Sequence, residues 1–134
     1  MKLNAKGLSH IGLRVTNLAR AKSFYVDTLG CELVREIDEA VLINVYGTLF
    51  ALYGSEKPSS NNTRFDPFRV GLDHLALAVE DTSVLEGLKR DLDAAGVRNH
   101  GVEEDPETHD KYISFYDPDG IAWELYSAST PFDV

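Results

Sequence analysis

Histidine recurs at one place in two stretches of the chain, and the chemistry starts there. Leu8-Ser-His10-Ile-Gly-Leu13-Arg-Val15 aligns with Leu72-Asp-His74-Leu-Ala-Leu77-Ala-Val79 at an offset of 64, with Leu, His, Leu and Val identical in place. A carboxylate joins the pattern, because Gly120-Ile-Ala-Trp123-Glu124-Leu125-Tyr126 repeats Gly47-Thr-Leu-Phe50-Ala51-Leu52-Tyr53 and puts Glu124 where the first copy has Ala51. Two imidazoles and one carboxylate make a facial triad, which holds a divalent metal on one side and leaves the other open. A single strand histidine is more often a packed or solvated group than a ligand. Core packing, however, gives no reason for histidine at the same place in both copies. His10, His74 and Glu124 are therefore expected to bind one divalent ion; the ligand set favours iron(II), with manganese, zinc and nickel as alternatives.

Strands have to carry these residues. Each histidine segment alternates as a half-buried strand does. A polar cap follows in each copy, Thr16-Asn17 and Asp81-Thr82, and then a helical stretch. Leu18, Ala21, Phe24, Tyr25 and Leu29 fall on one helix face, and Leu85, Leu88, Leu92 and Ala95 on the other helix's face. Gly30 and Gly96 stop the helices. Between helix and final strand lie two more strand candidates per copy, 32–37 with 41–45 and 97–102 with 112–116. The run Asp117-Pro-Asp-Gly120 reads as a hairpin turn. The unit is βαβββ, twice: module one at 7–54, a polar linker at 55–69 with Pro58, Asn61, Asn62 and Pro67, and module two at 70–128. Neither module buries much surface alone. The expected fold is thus α+β in a single domain, two βαβββ modules forming an eight-stranded, open, barrel-like mixed sheet around one cavity, with a helix outside each half.

Length and composition narrow the partners. The 134 residues carry 13 Lys plus Arg against 22 Asp plus Glu, a net charge of -9, which disfavours phosphate backbones and anionic lipid. Neither nucleic acid nor a membrane is an expected partner; a small-molecule substrate is. Cys31 is the single cysteine, so no internal disulfide forms, and a reducing compartment fits. The N-terminus MKLNAKGLSH lacks a signal-peptide apolar region, and the longest apolar stretch, 40–52, is broken by Asn44, Gly47 and Thr48. A cytoplasmic protein is expected, in which the sequon Asn61-Asn62-Thr63 has no role.

The residues just quoted resemble the vicinal oxygen chelate superfamily, which includes glyoxalase I, extradiol dioxygenases, methylmalonyl-CoA epimerase, fosfomycin-resistance enzymes and bleomycin-binding proteins. The resemblance runs from Leu8 to Ser127 and rests on Ser9-His10-Ile-Gly-Leu-Arg-Val15, Phe24-Tyr25 with Leu29-Gly30, Gly71-Leu-Asp-His74-Leu-Ala-Leu-Ala-Val79, and Asp117-Pro-Asp-Gly120-Ile-Ala-Trp-Glu124. The superfamily's four metal-ligand positions fall on His10, Ala51, His74 and Glu124, so the resemblance implies ligands at His10, His74 and Glu124. Ala51 departs from the Glu or Gln of glyoxalase I and the epimerase, which counts against a glyoxalase-type proton shuttle. The remaining His, His, Glu set matches extradiol dioxygenases and fosfomycin enzymes.

Three protein ligands leave three sites of a six-coordinate ion open, enough for two vicinal substrate oxygens and dioxygen. The resemblance therefore leans to ring cleavage. The tyrosine and histidine of the dioxygenase pattern are replaced here by Ser114 and by Asp105, Pro106 and Glu107, leaving Tyr112 or Ser114 for proton transfer or hydrogen bonding. A phosphonate substrate is disfavoured by Glu103, Glu104, Asp105 and Glu107. The alternatives are a glyoxalase-type lyase or isomerase and a drug-binding protein without turnover.

Arg14 points the way of His10 and matches an arginine that glyoxalase I uses on a carboxylate, an edge salt bridge being the equal alternative. Arg14, Ala51 and Tyr53 are the expected substrate-binding residues. His100 and His109 are placed in a polar loop at 99–111, and Cys31 in packing. Superfamily members often pair such chains, so a homodimer is expected.

Overall fold

The expected alternation takes form in a computed structural model that describes residues 1–54 and 64–127. The sequon and most of the linker at 55–69 lie outside the described residues, as do residues 128–134. The chain divides into two compact units, Met1–Thr63 and Arg64–Val134.

In the first unit, β1 (Ile11–Val15) leads to a short helix α1 (Leu18–Lys22), a π-helical turn (Ser23–Thr28), and then β2 (Glu32–Ile37), β3 (Ala40–Val45) and β4 (Thr48–Gly54). The strands pair in the order β1-β4-β3-β2, with β1 parallel to β4 and the other pairs antiparallel. Period-two alternation sends Leu13 and Val15 of β1, Val41, Ile43 and Val45 of β3, and Phe50 and Leu52 of β4 into the core with Ala21, Phe24 and Tyr25. Gly12 and Arg14 leave the opposite face.

Asn17 begins α1 as expected, its side-chain oxygen accepting from the Arg20 N–H at 2.9 Å. The helix then widens. The Leu29 N–H reaches the Phe24 carbonyl five residues back at 3.0 Å, and consecutive Phe24 and Tyr25 are both buried, their rings edge-on at 5.1 Å. Gly30 closes this segment at φ +72°.

The second unit repeats the plan with β5 (Leu75–Ala78), a 3₁₀ turn (Thr82–Val84), α2 (Leu85–Ala94), β6 (Asn99–Glu104), β7 (Lys111–Tyr116) and β8 (Ala122–Ser127). Its order is β5-β8-β7-β6, with β5 parallel to β8. Asp81 caps the helical segment through the Ser83 N–H, as Asp81-Thr82 promised. Leu85 and Leu92 are buried, whereas Ala95, read as part of the same face, is exposed at the helix end.

The α+β class and the doubled βαβββ order therefore hold, with two differences. Hydrogen bonding distributes the eight strands over two four-stranded sheets, one per module, instead of one continuous sheet. In the first sheet the outer strand β2 is exposed along its whole length and carries Glu32, Arg35 and Glu36, residues that discourage further pairing. The first strand of each module is also shorter than its apolar pattern. Pairing begins at Ile11 and at Leu75, so His10 and His74 stand one residue ahead of the ladders. Among the described residues, no helix is long and apolar enough to cross a membrane.

Candidate functional site

The turn ahead of β8 fixes where Glu124 falls. The buried Asp117 carboxylate accepts from the Asp119 N–H at 2.9 Å and the Ile121 N–H at 2.8 Å, and Gly120 takes the positive φ of +83° that closes the turn. From there the ladders place Glu124 between Ala76 of β5 and Ser114 of β7, with Trp123 buried on the other face. His74 precedes Ala76 by two residues and so shares its face.

The two side chains meet. His74 Nε2 stands 3.5 Å from Glu124 Oε2, and the glutamate side chain retains 18% exposure. Burial pushes the Glu124 carboxyl above the usual range, His74 pulls it down, and the Asp73, Glu103 and Asp105 carboxylates push it up further. The other ring nitrogen of His74, Nδ1, lies 2.6 Å from an Asp73 carboxylate oxygen. The Nε2–carboxylate distance exceeds that of a hydrogen bond. Two donor atoms each about 2.1 Å from one ion and at right angles around it stand about 3 Å apart. The pair thus fits two adjacent ligands of a divalent ion.

His10 lies in the first unit, exposed, with Nδ1 3.1 Å from the Ser9 hydroxyl. There Gly12 pairs with Ala51 in the register that Ala76 and Glu124 keep in the second unit, so the first unit puts a methyl where the second puts a carboxylate. Among the described residues, no group of three His, Cys, Asp or Glu side chains is gathered for a metal ion. The second unit assembles the His74–Glu124 pair.

Ser114 pairs directly with Glu124, and Tyr112 pairs with Tyr126 one step along the same face. The Tyr112 and Tyr126 rings stack at 5.9 Å. Burial first, then a hydrogen bond to Glu103 and the nearby carboxylates, raise the Tyr112 phenol above its usual value.

In the first unit, Arg14 donates from Nη1 to the Gly54 carbonyl at 2.7 Å, and its guanidinium lies 5.3 Å from the centre of the Tyr53 ring. Among the described residues these contacts are a carbonyl and a ring, and not the edge salt bridge weighed from the sequence. The Tyr53 ring in turn lies against Gly12, where an added Cβ would stand 3.4 Å from it.

The acidic run is largely occupied by its own neighbours. Glu104 takes Lys111 and His109, the latter at 2.9 Å, and one Asp105 oxygen accepts the Glu107 and Thr108 N–H groups at 2.8 and 3.1 Å. His100 belongs to β6 and not to the polar loop expected at 99–111; its Nε2 meets the Tyr116 hydroxyl at 3.0 Å. Cys31 is buried, and that burial raises its thiol pKa. Asp73 and Ser9, the ring partners of the two histidines, escaped the sequence reading as site residues. Both carried a signal, since they precede the two histidines at aligned positions.

A family model described as the Glyoxalase/Bleomycin resistance protein/Dioxygenase superfamily matches residues 7–125. Uncharacterized protein YaeR of Escherichia coli is 32% identical, over 92% of this chain and 98% of its own length. A probable lactoylglutathione lyase of Synechocystis is 30% identical over 94% and 98%, and the metallothiol transferase FosB of Staphylococcus haemolyticus 27% identical over 92% and 85%. The solved structure of SMU.1112c superposes with a TM-score of 0.77 at 31% identity, covering 93% of this chain and 99% of that one.

Proposed function

The chain belongs to the glyoxalase/bleomycin resistance protein/dioxygenase superfamily, and from that premise we propose that it is a metal-dependent enzyme acting on a small molecule chelated through two adjacent oxygens. The observation that carries this reading is the opposed His74 Nε2 and Glu124 Oε2 at 3.5 Å, two ligand-type atoms with no hydrogen bond between them. His10 is the third ligand, supplied by the same chain or by the second copy in a homodimer. A bound divalent ion, iron(II) first and manganese, zinc or nickel after it, would polarise the substrate oxygens as a Lewis acid.

The chain's own groups do the rest. Tyr112, held protonated beside Glu103, hands a proton to the substrate, and Ser114, the direct partner of Glu124, donates or accepts a hydrogen bond. Arg14 keeps further N–H donors beyond the one on Gly54 and meets a substrate carboxylate or oxygen, with Tyr53 shaping the same surface and the buried Ala51 leaving space beneath it. Ring-cleaving, dioxygenase-like chemistry is the reaction class we favour, in a cytoplasmic setting.

A lyase or isomerase reaction is the second reading, supported by the Synechocystis relative. Ala51 weighs against it, because no base stands where a glyoxalase-type shuttle needs one. Sequestration of a drug without turnover gives no reason for the His74–Glu124 pair.

The test is anaerobic reconstitution with iron(II), followed by oxygen uptake on a panel of catechols and isomerisation of hemithioacetals. Turnover that disappears in His74→Ala supports the enzyme. Tight ligand binding indifferent to metal, with neither reaction, overturns it in favour of a binding protein.

A further inference from the structure

Both histidines have Nδ1 engaged by the residue immediately before them, but the two partners differ in kind. At His10 the partner is the Ser9 hydroxyl at 3.1 Å, and at His74 it is the Asp73 carboxylate at 2.6 Å. A hydroxyl both donates and accepts, so Ser9 is compatible with either neutral tautomer of His10. An ionised carboxylate only accepts. Against Asp73, a neutral His74 ring must carry its proton on Nδ1, which leaves the lone pair on Nε2, the nitrogen that faces Glu124 at 3.5 Å.

We propose that Asp73 is a positioning residue that fixes the tautomer and strengthens the donor at His74, and that the two histidines are consequently unequal: His74 is the anchoring nitrogen, and His10 is the weaker, exchangeable one. This rests on the reading of His74 as a metal ligand. A hydrogen bond from the far ring nitrogen to a carboxylate orients the imidazole and makes the near nitrogen more basic, and loss of such a partner typically weakens metal binding about 10- to 100-fold. A neutral hydroxyl partner gives a weaker effect, because charge-assisted hydrogen bonds are about twice as strong as neutral ones. The Asp73 side chain is 74% exposed, so its replacement leaves no buried gap and the fold is not at stake.

Two measurements separate the proposal from the reading beneath it. The first needs no metal. Two-bond proton–nitrogen correlation spectra of the chelator-treated protein, in mildly alkaline solution, report which ring nitrogen carries the proton. The expected result is a proton on Nδ1 of His74 alone, relaxing to a tautomer mixture in Asp73→Asn and Asp73→Ser; a wild-type ring protonated on Nε2, or spectra unchanged in both variants, overturns the assignment.

The second is calorimetric titration with manganese(II) or zinc(II). Asp73→Asn and Asp73→Ser are expected to lose about 10- to 100-fold in affinity, Ser9→Ala less than about threefold, and Asp73→Glu to recover part of the loss. Equal losses for Ser9→Ala and Asp73→Asn overturn the inequality of the two ligands. If the wild type takes up no metal, the metal reading falls and the anchoring role falls with it, while the tautomer result still decides what Asp73 does to the ring.

Discussion

Ser114 of β7 and Glu124 of β8 are direct partners across the antiparallel ladder of the second sheet. Side chains so paired leave the same face with Cβ atoms about 5 Å apart. The carboxylate that faces His74 therefore has a hydroxyl for a neighbour, and the next pair along that face is Tyr112 with Tyr126.

Under the proposed function, proton transfer falls to Tyr112 with Ser114 beside it. Tyr112→Phe should lower turnover about 100-fold or more, the span of a lost general acid, while Ser114→Ala should lower it less. Metal content should stay at the wild-type level in both variants. Steady-state rates set beside metal analysis decide it: a rate loss that tracks lost metal would remove Tyr112 from proton transfer.

Ala51 occupies the register position of Glu124 and is itself 2% exposed. Ala51→Glu should lower the melting temperature of the metal-free protein, because a carboxylate without a partner is costly to bury. Added manganese(II) should restore more of that loss than it gives the wild type. Equal metal-induced shifts in the two proteins would mean that position 51 does not face the ion.

Helix α1 is five residues long and depends on its cap. Asn17→Ala removes the acceptor of the Arg20 N–H and should cost about 1 kcal/mol in chemical denaturation. The slope against denaturant should not change, since the surface exposed on unfolding is the same.

Acid stability follows from four carboxylates. Asp81, Asp93, Glu104 and Asp105 all lie below their usual pKa values, Asp105 chiefly through the Glu107 and Thr108 N–H groups. A folded-state pKa below the unfolded one gives stability that is present above the usual carboxylate range and lost as pH falls through the depressed values. Thermal midpoints should therefore decline on acidification. The gap between wild type and Asp105→Asn should close once pH is well below the usual aspartate value of 3.8. A gap constant across that span would show that the turn at 105–108 does not depend on the ionised carboxylate.

Much of this was legible in the sequence for a simple reason: alternation and duplication are periodic signals, and both copies carry them. The cap at Asn17, the stop at Gly30 and the turn at Asp117 each depend on one residue type with one geometric use. Other features depend on what periodicity does not encode. His10 and His74 continue the alternating pattern but fall outside the ladders, because pairing needs a partner strand as well as a pattern. The π-helical turn was hidden, since Phe24 and Tyr25 suit an α-helix equally well until both must point inward. The Asp73–His74 contact between adjacent residues is decided by side-chain rotamers, and no spacing rule registers it.

The shared ladder register has a consequence for how two such modules drift apart after duplication. Ile11 and Leu75 lie 64 residues apart, whereas their ladder partners Phe50 and Trp123 lie 73 apart. The second copy is thus the longer within its helix and turns, while each of the four β5–β8 pairings keeps its counterpart in β1–β4. Length and pairing are separate freedoms for a doubled chain, and only the first has been used. A slip of one residue in β8 would turn Trp123 outward and Glu124 toward the helix, losing the core and the carboxylate together. The same constraint that keeps the sheet folded has held the acid in place.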